Sequence, residues 1–258
     1  MRRFIGPIIS FFLCMSLLSC AHSLNQHQKI LPRSSFLKIE KTITMNVCAD
    51  DSGCVRRNLR SSGSGAIVKT TFGGAYVLTA AHVCDDSDVI EQIKRDMPEA
   101  EINTTFNVVT IDGDRYPVEI LDMNAKHDIC MVWVKNLFEP PILISTKEPV
   151  PGEKVYNLAA PLGVHDIDMV PIFDGYFNGV DSRGIALYSI PAFGGSSGSP
   201  IVNVRGELVG MIHSTLRYFP QIALSPNYKA MRAFINNSIE KDGTGRIINV
   251  FLNAVFRI

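Results

Sequence analysis

Gly194-Gly195-Ser196-Ser197-Gly198-Ser199-Pro200 is the stretch whose reading decides the fold. Three glycines and three serines in seven positions leave a backbone free to take positive φ and to turn its N–H groups outward. Taken alone, the cluster is a small-residue turn between two strands. Two other stretches change its meaning. Thr79-Ala80-Ala81-His82 lies upstream, and Asp128 opens the apolar run Ile129-Cys130-Met131-Val132-Trp133-Val134 between them. His, Asp and Ser are the base, the acid and the nucleophile from which an activated hydroxyl is built.

The cluster admits two alignments. As Gly194-Gly195-Ser196-Ser197-Gly198 it satisfies the Gly-x-Ser-x-Gly elbow of α/β-hydrolases, with Ser196 as nucleophile. That elbow needs a helix immediately afterwards and a Ser, Asp, His order. Here Pro200 and the strand-like Ile201-Val202-Asn203-Val204 follow, so the reading is rejected. As Gly195-Ser196-Ser197-Gly198-Ser199-Pro200 it resembles the Gly-x-Ser-Gly-(Gly/Ser)-Pro signature of trypsin-like serine proteases, with Ser197 as nucleophile. The upstream Ser61-Ser62-Gly63-Ser64-Gly65, the Gly73-Gly74 turn and Thr79-Ala80-Ala81-His82 are similar to the opening of that family, in its bacterial HtrA-like and glutamyl-endopeptidase-like form.

The resemblance covers roughly residues 61–241 and implies an all-β fold: two six-stranded antiparallel β-barrels of chymotrypsin type with a C-terminal helix. It implies His82, Asp128 and Ser197 as the triad, and the N–H groups of Gly195 and Ser197 as an oxyanion hole. Asp128 is preferred to Asp122 because it immediately precedes the apolar strand. Pro191, six residues before Ser197, lies at the base of the primary pocket, where an acid would demand Arg or Lys in the substrate. Ile212, His213 and Ser214 are expected on a pocket wall. Glutamyl endopeptidases place a His on that strand, but His213 falls one residue late, and one step turns a side chain to the other face. Residue 196, usually Asp or Asn in relatives, is Ser, and no Ile-Val-Gly-Gly activation site is visible, so no zymogen switch is inferred.

In chain order, alternation over residues 38–46 predicts an entry strand, followed by strands over 61–68 and 75–82. Val89, Ile90, Ile93 and Met97 predict a helix over 85–97, capped by Asp85, Asp86 and Asp88 rather than holding a metal there with them. Strands over 105–111 and 115–122 join across Asp112-Gly113. Four prolines within 137–151 read as the linker between barrels. Short strands over 154–159, 169–180, 184–190, 201–204 and 208–213 then build the second barrel, at about 150–224 after the first at about 37–136. Ser225-Pro226 opens the final helix, about 226–241, which Gly243 and Gly245 end. Beyond it lies an apolar extension, 242–258. In it Asn249, Asn253 and Arg257 recur every fourth residue, a narrow polar stripe suited to packing on the barrel or to contact with a partner or a membrane. No PDZ module is expected to follow.

Composition bounds the rest. The 258 residues, 46% apolar, suffice for a sizeable core, and 25 basic against 25 acidic residues leave no electrostatic footprint for nucleic acid. Met1-Arg2-Arg3 followed by an apolar run reads as a secretory signal peptide over 1–19. Leu17-Leu18-Ser19-Cys20 resembles a lipobox, which implies lipidation of Cys20, a polar tether over 20–36 and a place in the cell envelope, on the periplasmic face of the outer membrane. Cys48 and Cys54 bracket a short polar loop, while Cys84 and Cys130 each lie two residues after His82 and Asp128. The expected disulfides are Cys48–Cys54 and Cys84–Cys130, the alternative being free buried thiols. No cofactor or metal is expected, and the substrates are proteins or peptides. The reading is a serine endopeptidase; the alternative is a protease-fold binding protein without activity.

Overall fold

The structure is a computed structural model and describes residues 31–49 and 53–255. The expected signal peptide, Cys20 and most of the expected tether lie outside the described residues. The tether's end does not: a 3-10 turn at Arg33–Ser35 leads directly into β1 (Phe36–Ala49), with Leu31 packed on the core. β1 and β2 (Gly53–Thr71) form a long hairpin, and β3 (Gly74–Thr79) returns against β2. The first helix, α1 (Ala81–Cys84), is a single turn, so His82 lies just past the strand end rather than on the strand. The inserted helix is α2 (Ser87–Asp96). β4 (Glu101–Val109), β5 (Arg115–Asn124) and β6 (Ile129–Lys135) complete a closed barrel in the order β1-β2-β3-β6-β5-β4.

The second unit departs from a six-stranded barrel. β7 (Lys154–Leu158), β8 (Ile172–Val180), β9 (Ile185–Tyr188), β10 (Pro200–Asn203), β11 (Leu208–Met211), β12 (Ser214–Leu216) and β13 (Phe219–Pro226) form a seven-stranded sheet, β11-β10-β7-β8-β9-β13-β12. The single strand expected through 208–213 ends at Met211 because the amide and carbonyl of Ile212 are bonded to Ser199 O and Gly198 N. The chain resumes as β12 against β13. The fold is otherwise the mostly β, chymotrypsin-like arrangement. One core cluster spans both units, joining Phe36, Leu78 and Trp133 to Leu158, Met211 and Met231.

The C-terminal helix, α3 (Tyr228–Val255), starts later and runs further than expected. Asn227, not Ser225, caps it: Asn227 Oδ1 accepts from Ala230 N at 2.9 Å, while buried Ser225 closes β13 and its Oγ accepts from Met211 N. Gly243 and Gly245 lie within the helix. Each costs a helix interior about 1 kcal/mol relative to Ala, which weakens a helix without ending it. Among the described residues no helix is long and apolar enough to cross a membrane.

Both disulfides are present, Cys48–Cys54 at the hairpin tip and Cys84–Cys130 inside the barrel. The second closes a separation of 46 residues against 6 for the first, and chain-entropy loss in the unfolded state grows with loop length. Replacing Cys84 and Cys130 together by Ala is expected to lower unfolding free energy by about 3–4 kcal/mol, against about 2 kcal/mol for the tip pair. Urea unfolding of the two double variants under non-reducing conditions checks the order.

Candidate active site

Small residues bring the two units into contact. Ser64 of β2 is fully buried, and its Oγ donates to Gly195 O at 2.8 Å while accepting from Ala160 N at 3.0 Å. Its amide donates to Ser197 O at 2.8 Å, and Thr79 Oγ1 donates to its carbonyl. One serine of the first barrel therefore holds both ends of Gly195-Ser196-Ser197. Gly198, at φ +87°, lies so close that a Cβ would stand 2.0 Å from Ser64 O and 2.2 Å from Thr79 Oγ1. Gly195, at φ +95°, would drive a Cβ to 2.4 Å from Ala160 O. A side chain at either position is excluded by both conformation and space.

The turn leaves two donors unused. Ser196 N bonds to Phe193 O, Gly198 N to Ile212 O and Ser199 N to Ser196 O. Among the described residues, the N–H groups of Gly195 and Ser197 have no protein acceptor. Ser196 is buried with its Oγ accepting from Phe193 N, so it occupies the turn's interior and not the cleft.

His82 and Asp128 come from the first barrel. Asp128 takes φ +52° at the end of the turn before β6, a left-handed conformation that Asp tolerates better than most residues. Its Oδ1 accepts from His82 N at 3.0 Å and its Oδ2 lies 2.8 Å from His82 Nδ1. Burial pushes the Asp128 carboxyl up, but the side-chain and backbone hydrogen bonds from His82 outweigh it and hold the group below the usual carboxylate range. Ser197 and His82 line one cavity of about 100 Å³, with Gly63 and Val83. No hydrogen bond joins the Ser197 hydroxyl to His82 among the described residues.

The expected pocket residues have separate positions. Pro191 is half-buried on the segment before the turn. Ile212 is 1% exposed and packs in the second unit's core with Tyr188 and Ile201. His213 faces the acid: its Nδ1 is 3.6 Å from Asp128 Oδ2 and 3.0 Å from Ser214 Oγ. Asp128 thus stands between two imidazoles. Burial pushes His213 below the ordinary histidine value, against the pull of Asp128 and with the help of His82.

Sequence reasoning misses two residues. Ser64 reads only as part of a Gly/Ser turn, and nothing local marks it as a bridge. Lys41, 4% exposed on an otherwise apolar strand face, donates to Cys84 O at 3.1 Å and Asp86 Oδ1 at 2.7 Å. It steadies the segment just after His82, and it takes Asp86 away from the capping role expected of it. A lysine between apolar neighbours, Ile39 and Ile43, is the signal that could have found it. Asp85, one residue before the N-cap Asp86, accepts from Ser87 N at the start of α2 through its Oδ1. Among the described residues no group of three or more His, Cys, Asp or Glu side chains could hold a metal ion.

Comparisons with known proteins agree on one family. The trypsin-like peptidase domain family matches residues 63–211. The chain is 26% identical over 195 residues to a serine protease HTRA1 of Xenopus laevis, covering 72% of this chain and 38% of that protein. It is 29% identical over 164 residues to a probable periplasmic serine protease do/HhoA-like of Haemophilus influenzae, covering 60% of this chain and 31% of the relative. The chain thus spans about a third of the length of these relatives. The crystal structure of the serine endoprotease from Yersinia pestis shares the fold, with a TM-score of 0.59 at 16% identity over 84% of this chain and 66% of that one.

Two part-buried imidazoles, His213 and His165, set a pH response. His213 and half-buried His165 both sit below the ordinary value of 6.5, so the unfolded chain binds their protons more readily. Stability is expected to fall as pH drops through 6.5 towards their lower folded values, and His213→Gln to flatten its share of that loss. Asp128 adds a further loss only near and below 3.8. Thermal melting across pH checks the slope.

Proposed function

The chain belongs to the trypsin-like peptidase domain family, and from that membership we propose that it is a serine endopeptidase acting through an acyl-enzyme. The observation that carries the proposal is the His82 Nδ1–Asp128 Oδ2 contact of 2.8 Å beside a serine whose turn leaves two N–H groups without acceptors. Ser197 Oγ attacks the substrate carbonyl as His82 Nε2 takes its proton. The oxyanion is received by the N–H groups of Gly195 and Ser197. His82 then returns the proton to the departing amine, and a water repeats the sequence to release the acyl group and regenerate Ser197. Asp128, held ionised, accepts from Nδ1–H and stabilises the imidazolium. In resting proteases the serine–histidine contact is often loose and tightens with substrate.

With Pro191 at the pocket base there is no acid to demand Arg or Lys. His213, drawn to Asp128, gives no support to acidic specificity, so a small or medium apolar residue before the cleaved bond is favoured. Two disulfides suit an oxidising compartment. With the signal peptide over 1–19 and Cys20 as lipid attachment, they support an exported, envelope-anchored enzyme. The inactive-binder reading rests on Ser196 and on the helix inserted beside His82, but the Ser196 side chain lies in the turn's interior, and His82 keeps its 2.8 Å contact with Asp128 beside that helix.

Fluorophosphonate labelling and peptide turnover are expected in the wild type and in Ser196→Ala, and neither in Ser197→Ala. His82→Ala should lower turnover on the order of 10^4-fold. A folded wild type that neither labels nor cleaves overturns the proposal.

A further inference from the structure

Next to the cleft runs a second, cationic cavity of about 520 Å³, lined among others by Lys38, Glu40, Arg60, Ser61, Ser62 and Arg115. Ser61, Ser62 and Lys41 line this cavity and also the smaller one between His82 and Ser197, so the two adjoin at β2. The β1–β2 register explains the assembly. Lys38, Glu40 and Thr42 share one face of β1 by alternation, Ser62 pairs with Glu40, and Arg60 pairs with Thr42. Lys38 pairs with Val109, which pairs with Arg115, and so the Arg115 guanidinium reaches Glu40.

The charges do not balance. Glu40 is shared by Lys38, at 2.9 Å, and Arg115. Burial pushes its carboxyl up, but these two cations outweigh that and keep it ionised. Lys41 is matched by Asp86. The Arg60 side chain has no hydrogen-bond or ion-pair partner among the described residues, and it is exposed. Three cations thus meet one carboxylate, with a free guanidinium at the open side.

Resting on the protease reading above, we propose that this cavity selects an acidic side chain in the part of the substrate that follows the cleaved bond. The direction comes from the chemistry. His82 protonates the leaving amine, so the leaving half of the peptide lies on the His82 side of Ser197, where both cavities are. One edge of β2 is paired with β1 from Gly53 to Ala66, but the other pairs with β3 only from Ala66 onward, so at Ser61-Ser62-Gly63 it is free to take an extended peptide. Gly63 lines one cavity with Ser197, and Arg60 lies three residues beyond Gly63, roughly 10 Å at strand spacing. An extended substrate covers that distance in about three residues. Carboxylate recognition there uses the planar fork of arginine, for which Glu40 leaves Arg60 uncommitted.

The test compares labelled peptides of one sequence carrying Glu, Ala or Lys at the third residue after the cleaved bond. The expected result is a kcat/KM roughly tenfold higher for Glu than for Lys at low salt, shrinking at high salt and collapsing to about one or below in Arg60→Glu. Equal Glu-to-Lys ratios in the wild type and Arg60→Glu, with cleavage intact, overturn the subsite and leave the protease reading standing. Anisotropy with the non-cleaving Ser197→Ala protein separates the opposite case. Tighter binding of the Glu peptide, lost on adding Arg60→Glu, supports the subsite even if the wild type cleaves nothing. Equal binding of all three peptides overturns it. Arg60 is exposed, and unchanged melting of the variant verifies its fold.

Discussion

The site depends on the buried hydroxyl and backbone of Ser64. The Gly195-Ser196-Ser197 turn belongs to the second unit, whereas His82 and Asp128 belong to the first, so their relative placement is set by whatever crosses between the units. Ser64 crosses three times, to Gly195 O, to Ser197 O and to Ala160 N. All these groups are buried or nearly so, where an unmade hydrogen bond costs about 1–3 kcal/mol. The contact is close enough that Gly198 cannot carry a side chain. The small-residue composition of both Ser61-Ser62-Gly63-Ser64-Gly65 and the 194–199 turn is the condition for this approach.

On the other side of the cleft, His82 is held through its neighbours. His82 itself is half exposed. Cys84 is bonded to Cys130 at the head of β6, Cys84 O accepts from Lys41, and Lys41 is matched by Asp86. A covalent link and a buried cation thus fix the turn on which the imidazole swings, and Asp128 at the same end of β6 fixes the imidazole. Buried charges are tolerated when fully paired, and Lys41 satisfies that condition with a carbonyl, a carboxylate and the face of Phe106.

Electrostatically the cleft is asymmetric. Asp128 is flanked by His82 and His213, which puts a second titratable ring behind the acid. The adjoining cavity carries Lys38, Arg60 and Arg115 around a single Glu40. The zero net charge of the whole chain conceals this local excess, because charge averaged over 258 residues says nothing about which side chains share a strand face.

Local pattern determined much of this protein. The entry strand, the hairpin, the apolar run after Asp128 and the inserted helix were readable from periodicity, because side-chain alternation and helical spacing are properties of neighbouring residues. The Cys48–Cys54 pairing followed from spacing across a short loop, and Cys84–Cys130 from its spacing to His82 and Asp128 once the resemblance brought those two together. What required tertiary structure is where non-local bonds compete with local ones. The strand through 208–213 breaks at Ile212 because its backbone is taken by the nucleophile turn. His213 faces the acid because the chain changes direction there. Ser225 has the look of a helix cap, but it closes a strand and bonds Met211 N instead. Gly243 and Gly245 have the look of a helix end, but their cost is small enough for the helix to continue through them. Lys41 and Ser64 carry no local signature of their partners, which lie 43 and 131 residues away, and only folding brings those distances to hydrogen-bond length.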